Sequence, residues 1–179
     1  MIKGGEFLIK DQEANDIFIP EEFGEDQLMM ASATKEFVEK ELDPHREQFE
    51  KKDYQLTEDC MKKAGELGLL GISVPAEYGG MGMPFNTSVL ICDKISGANG
   101  SFSTAFGAHT GIGTLPILLY GDDTQRKKYL PKLSTGEWMG CYCLTEPGAG
   151  SDANSGKTKA VLTKDGKHYL ITGQKMWIS

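Results

Sequence analysis

The chain has no apolar run near the ~20 residues that a bilayer-spanning helix needs, and Met1-Ile2-Lys3-Gly4-Gly5-Glu6 lacks the apolar core of a secretory signal. Cysteine is scarce. The 4 cysteines, Cys60, Cys92, Cys141 and Cys143, are too irregularly placed for a disulfide framework. Together with His45, His109 and His168 they show no metal-ligand spacing, which leaves buried free thiols and no metal. A cytoplasmic compartment is the default expectation. Positive charge is short where it would matter for nucleic acid: residues 1–60 carry 7 Lys/Arg against 17 Asp/Glu. This excludes nucleic acid as a partner of that third and reads as a solvated helix face. Internal repeats and low-complexity segments are also missing.

What is present is an ordinary soluble composition, 39% hydrophobic and 25% charged over 179 residues, in two successive patterns. Residues 1–24 mix Gly, Pro, Asp and Asn and read as an irregular lead-in, with Phe7, Leu8, Ile17, Phe18 and Ile19 positioned to dock onto something. A helix is expected over Asp26–Leu42, carrying Leu28, Met29, Phe37, Val38 and Leu42 at helical spacing and broken or restarted by Pro44. A second starts after Thr57 as N-cap and ends near Gly68. Leu69 to Tyr78 reads as a turn-rich connector. A third helix follows Asn86 and runs to about Ala98, and Ser101 to Tyr120 reads as one long helix buried on several sides. Gly121 then caps that helix, and Asp122 or Asp123 caps the next, which runs before Pro131. After Trp138 short β-prone stretches take over, at Tyr142 and Leu144, Ala160 to Leu162 and His168 to Ile171, with Lys164-Asp165-Gly166-Lys167 as a turn. Helices first and strands afterwards give an α+β class. The domains expected are a lead-in at 1–24, an all-α helical domain at 25–137, and the beginning of an antiparallel β domain at 138–179.

Two segments carry chemistry. Cys143-Leu144-Thr145-Glu146-Pro147-Gly148-Ala149-Gly150-Ser151-Asp152 places hydroxyls and glycines in a turn where backbone amides can approach a diphosphate. Gly173-Gln174-Lys175-Met176-Trp177-Ile178-Ser179 sets an indole beside a hydroxyl, as an aromatic ring system with a polar edge requires. Gly148, Gly150 and Ala153 also satisfy the loose G-x-G-x-x-A dinucleotide fingerprint, but Asn154-Ser155-Gly156 breaks the chain where that motif needs a helix. Cys141 and Cys143 alternate around Tyr142, so in a strand both face one side, and a disulfide between them would be strained.

In this order, and together with Tyr129-Leu130-Pro131-Lys132-Leu133 and Pro75-Ala76-Glu77-Tyr78-Gly79-Gly80, the two segments resemble the flavin-binding middle of the acyl-CoA dehydrogenase family. The likeness covers nearly the whole chain and leans towards members acting on long chains. It implies FAD as cofactor, an acyl-CoA substrate, an electron-transfer flavoprotein as acceptor, homo-oligomers and a place in fatty acid oxidation. It further implies that the backbone from Tyr142 to Leu144 edges the isoalloxazine and Thr145 hydrogen-bonds to it. Gly150 and Ser151 would serve the diphosphate, Ser151 would also touch acyl-CoA, Trp177 would lie against the flavin, and Ser179 would bond near its reactive nitrogen. Ala105, Ala108 and Ile112 share a helix face that the family uses for its acyl pocket, although close helix packing explains the same small residues.

The resemblance assigns no catalytic residue here. Family members run to roughly twice this length or more, and the catalytic glutamate comes from the C-terminal helical domain, so the chain reads as an N-terminal fragment. Glu146 is expected to be a structural carboxylate bonded to nearby amides, and His109 carries no assignment. Two other readings stay open: a related flavoprotein oxidase or monooxygenase of the same superfamily, or a non-catalytic binding module.

Overall fold

A computed structural model describes residues 5–178, leaving residues 1–4, Ser179 and the side chains of Phe7 and Ala14 outside the described residues. Three 3-10 turns, Glu6–Leu8, Ala14–Asp16 and Pro20–Glu22, lead in. Leu8, Ile17, Phe18 and Ile19 stay exposed there, so the expected docking surface is uncovered in this structure.

The helical part is built from α1 (Glu25–Phe37), α2 (Arg46–Glu50), α3 (Tyr54–Glu66), α4 (Phe85–Ser96), α5 (Gly100–Ala108), α6 (Leu115–Tyr120) and α7 (Asp123–Ser134). A π-helical turn, Val38–Leu42, prolongs α1, and Pro44 then enforces a short 3-10 turn before α2. The inward face of α1 differs in part from the expected one. Met30, Ala31, Thr34, Phe37, Val38 and Leu42 are buried, whereas Leu28 and Met29 are exposed. Phe37, Val38 and Leu42 are buried as their spacing implies, and the buried Thr34 satisfies its hydroxyl within the helix by donating to the Met30 carbonyl at 2.7 Å.

Asp53, not Thr57, caps α3, accepting the Leu56 amide at 3.0 Å. Nothing in Tyr54-Gln55-Leu56 interrupts a helix, and an Asp in extended backbone is the stronger cap. Thr57 instead bonds back to the Asp53 carbonyl at 3.1 Å inside the first turn. Helix α4 starts at Phe85, one residue before the position expected to precede it. Asp122 caps α7 in a reciprocal box with Gln125, as its sequence chemistry requires. That helix runs through Pro131 to Ser134.

The expected long helix over 101–120 is broken. After α5 the backbone widens into a π turn, His109–Gly113, and restarts as α6. Gly111, Gly113 and Pro116 weaken continuous helical bonding, and the Thr114 hydroxyl takes up the His109 carbonyl at 2.7 Å. Burial on several sides also fails, since Ile112, Leu119 and Tyr120 are exposed.

The core centres on Phe102, wholly buried, with ring centroids 6.1 Å from Phe37, 5.8 Å from Phe49 and 6.5 Å from Phe106. Leu42, Leu69, Leu70, Ile91 and Ile95 complete it. The connector Leu69 to Tyr78 is therefore core as much as turn. Beyond α7, β1 (Lys159–Leu162) and β2 (Tyr169–Thr172) form an antiparallel hairpin with Lys159 opposite Thr172. Both strands are exposed along their length. Cys141 to Leu144 is not a strand, because no ladder partner supplies its backbone bonds among the described residues.

All 4 cysteines are free, but only Cys60 is buried; Cys92 is half-buried and Cys141 and Cys143 are exposed. The expectation of buried thiols fails for the last pair because the 141–144 segment is covered on one side only. Burial pushes the Cys60 thiol up to about 11 and raises that of Cys92. Thiol titration of the unreduced chain is expected to show Cys141 and Cys143 reacting first and all 4 after denaturation. Two in the denatured chain would establish a disulfide that the structure lacks.

Candidate functional site

The two signature segments are drawn together by one carboxylate. Glu146 is 6% exposed, and its oxygens accept the Lys157 amide, the Thr158 amide at 3.0 Å and the Lys175 ammonium at 2.8 Å. The Lys175 ammonium and these backbone amides hold its carboxyl well below the usual carboxylate range. Glu146 is thus a staple, with both its oxygens engaged, as expected for a structural carboxylate. Lys175 also donates to the Leu144 carbonyl at 2.9 Å, and the Met176 amide donates to the Thr145 carbonyl at 2.9 Å. These bonds set Met176-Trp177 beside Leu144-Thr145.

The turn between them is tight: Glu146 and Ala149 exchange both backbone bonds at 3.1 Å across Pro147-Gly148. Ala153–Ser155 is only a 3-residue 3-10 turn, too short for the helix that a dinucleotide fingerprint demands. Gly150 and Ser151 are exposed.

An open cleft of about 540 Å³ lies between α5 with its π turn and the two segments. Thr104, Gly107, Ala108, Gly111 and Ile112 form one wall; Tyr142, Leu144, Thr145, Trp177 and Ile178 form the other. Of the residues singled out from sequence, Tyr142, Leu144, Thr145 and Trp177 therefore meet around one space, whereas Gly150 and Ser151 do not line it and Ser179 lies outside the described residues. From the small-residue face, Ala108 and Ile112 reach the cleft and Ala105 does not. Gly107 and Gly111, which sequence reasoning passed over, replace it. A Cβ on either would meet nothing within 4 Å, so this wall is backbone facing open space. The same two glycines also border an apolar cavity of about 220 Å³ beneath the helix, lined among others by Phe85, Val89, Ile91, Phe106 and Leu115.

Trp177 is 83% exposed with φ at 59°. A bulky residue in the left-handed region is uncommon, and such conformations concentrate at ligand sites. Among the cleft-lining residues there is no carboxylate, imidazole or amine.

Sequence models of the acyl-CoA dehydrogenase N-terminal domain and middle domain match residues 24–137 and 141–179. The chain belongs to the acyl-CoA dehydrogenase family. A probable acyl-CoA dehydrogenase of Bacillus subtilis is 49% identical over 177 residues, covering 99% of this chain and 30% of that protein. The mitochondrial isovaleryl-CoA dehydrogenase of Bos taurus is 36% identical over 87% of this chain and 36% of its own length. The crystal structure of an acyl-CoA dehydrogenase complexed with FAD from Bacillus anthracis superposes with a TM-score of 0.94 at 47% identity, covering 99% of this chain and 30% of that one. The chain thus spans between 30% and 36% of the length of these two curated relatives. No helix among the described residues is long and apolar enough to cross a membrane.

His109, without a role in the sequence reading, is 1% exposed and held from both ring nitrogens, by the Leu133 carbonyl and the Gly140 amide. Burial lowers its pKa below the ordinary 6.5. The unfolded chain therefore takes up the proton more readily than the folded one. Stability is full above that ordinary value and falls as the pH drops through it, by at most about 1.4 kcal/mol per pH unit for one proton. Thermal midpoints between pH 7.5 and 5.5 are expected to fall more steeply in the wild type than in His109→Asn; parallel profiles would remove His109 as the cause.

Proposed function

We propose that the cleft between α5 and the paired segments 142–145 and 175–178 holds FAD, in a longer polypeptide that dehydrogenates acyl-CoA thioesters at the 2,3-position. The observation that carries this is the convergence of Tyr142, Leu144, Thr145 and Trp177 on one glycine-backed space. The residues fit the group: an exposed indole offers a stacking face, Thr145 a hydroxyl for a ring edge, and Gly107 and Gly111 leave room for a flat ring system. The Bacillus anthracis relative, complexed with FAD, supports the same cofactor here. Gly150 and Ser151 stand in an exposed turn free of Cβ obstruction at Gly148 and Gly150, suited to the diphosphate, and Ser151 also to acyl-CoA. Ser179 completes the proposed set.

When bound, FAD supplies the acceptor for the β-hydride. This chain's part is to bind, orient and desolvate. The thioester carbonyl acidifies the α-proton, and a base must take it. Glu146 is not that base: it does not line the cleft, and Lys175 and two amides engage both its oxygens and lower its basicity. No carboxylate or imidazole lines the cleft, which supports placing the base outside residues 5–178, as the family resemblance implies. An electron-transfer flavoprotein is the proposed acceptor, and a homo-oligomer the proposed assembly. The free cysteines fit a reducing, cytoplasmic compartment.

The longer polypeptide, assayed anaerobically with an acyl-CoA series and an artificial electron acceptor, is expected to turn over the thioesters. Turnover with dioxygen alone would favour an oxidase or monooxygenase, and no reaction would leave a binding module. We also propose that the acyl chain enters this cleft beside FAD along the Ala108 wall, so Ala108→Phe is expected to shorten the longest acyl chain accepted. An unchanged chain-length profile would place the acyl group elsewhere.

A further inference from the structure

His109 opens the π turn that follows α5, the helix whose outer face forms the cleft wall. Its Nε2 lies 2.9 Å from the Leu133 carbonyl at the end of α7, and its Nδ1 lies 2.9 Å from the Gly140 amide nitrogen. A carbonyl can only accept and an amide N–H can only donate. The ring is therefore neutral, with the proton on Nε2 and a bare Nδ1 receiving Gly140. Gly140 stands two residues before Tyr142, at the root of the segment that forms the opposite cleft wall. At the same place the backbones of Gly113 and Gly140 touch: a Cβ on Gly113 would lie 2.5 Å from the Gly140 carbonyl carbon. One buried imidazole thus ties the cleft-wall helix, the end of α7 and the root of the facing segment.

We infer that His109 is a positioning residue for the cofactor cleft: through the Gly140 amide it fixes how Tyr142, Leu144 and Thr145 stand against the Gly107 and Gly111 wall. This rests on the proposed FAD site. The bond to Gly140 carries the positioning, because Leu133 has a second donor in the Gly136 amide at 3.2 Å, whereas the bonds from Lys175 and Met176 tie Leu144 and Thr145 to the neighbouring segment and not to the helix.

The two ring nitrogens can be tested apart. In His109→Asn the side-chain oxygen falls near the Nδ1 position and can still accept from Gly140. In His109→Gln the side-chain nitrogen falls near Nε2 and keeps Leu133 but loses the acceptor for Gly140. The experiment uses the longer polypeptide with FAD as probe, reading FAD affinity, the visible flavin band and backbone amide exchange at Gly140, with thermal midpoints showing that both variants fold. His109→Gln is expected to bind FAD about tenfold more weakly, the size of one lost hydrogen bond, with a shifted flavin band and faster exchange at Gly140. His109→Asn is expected within about twofold of wild type on that same scale. Equal behaviour of the two variants, or weaker binding by His109→Asn, would overturn the inference. A wild type that binds no FAD would instead overturn the cofactor reading; exchange at Gly140 would then still report the clamp, and equal rates in both variants would refute that too.

Discussion

Phe102→Ala is expected to destabilise the helical part by about 3–5 kcal/mol, the cost of removing a large ring from a core that cannot collapse onto the space. Phe102 is wholly buried and touches Phe37 from α1, Phe49 from α2 and Phe106 one turn further along α5. No other ring joins three helices in this way among the described residues. The loss is a large share of the roughly 5–15 kcal/mol that holds a domain folded, and it strikes α5, whose opposite face forms the cleft wall. Denaturant titration should show a lower midpoint with the slope unchanged. A shift worth less than about 1 kcal/mol would mean that the aromatic cluster relaxes around the gap.

Trp177→Ala is expected to weaken FAD binding by the longer polypeptide roughly 10- to 100-fold, corresponding to about 1.5–3 kcal/mol for an indole buried against a ligand. The ring is 83% exposed in this structure and contributes little to the fold, so the thermal midpoint without FAD should stay unchanged. The visible flavin band should also shift as water replaces the indole. Unaltered affinity and spectrum would remove Trp177 from the site.

What was legible in the sequence was local chemistry. Asp122 with Gln125 caps α7 because both partners lie within one turn. Lys164-Asp165-Gly166-Lys167 closes the hairpin because Gly166 takes a φ of 69°. Glu146 reads as structural because the resemblance places the catalytic glutamate elsewhere; the amides it holds lie 11 and 12 residues on. What was hidden depended on distant partners. Lys175 reaches back 29 residues to Glu146, and nothing in Gly173-Gln174-Lys175 signals that pairing. His109 bonds forward to Leu133 and Gly140, which no helical periodicity reveals. Leu28 and Met29 have the spacing of core residues, yet the buried face of α1 is chosen by what α4 and α5 offer opposite. The 101–120 run looked continuous because apolar content conceals the break that its glycines and Pro116 permit. Tyr142 to Leu144 has the composition of a strand, but strand formation needs a neighbour.

The most direct test is a crystal structure of the longer polypeptide grown with FAD. The predicted result is an isoalloxazine in the cleft between α5 and Tyr142 to Thr145, with Trp177 against it and the diphosphate at Gly150 and Ser151. A flavin bound elsewhere, or a cleft filled by side chains of the longer polypeptide with no flavin in the protein, would contradict the assignment.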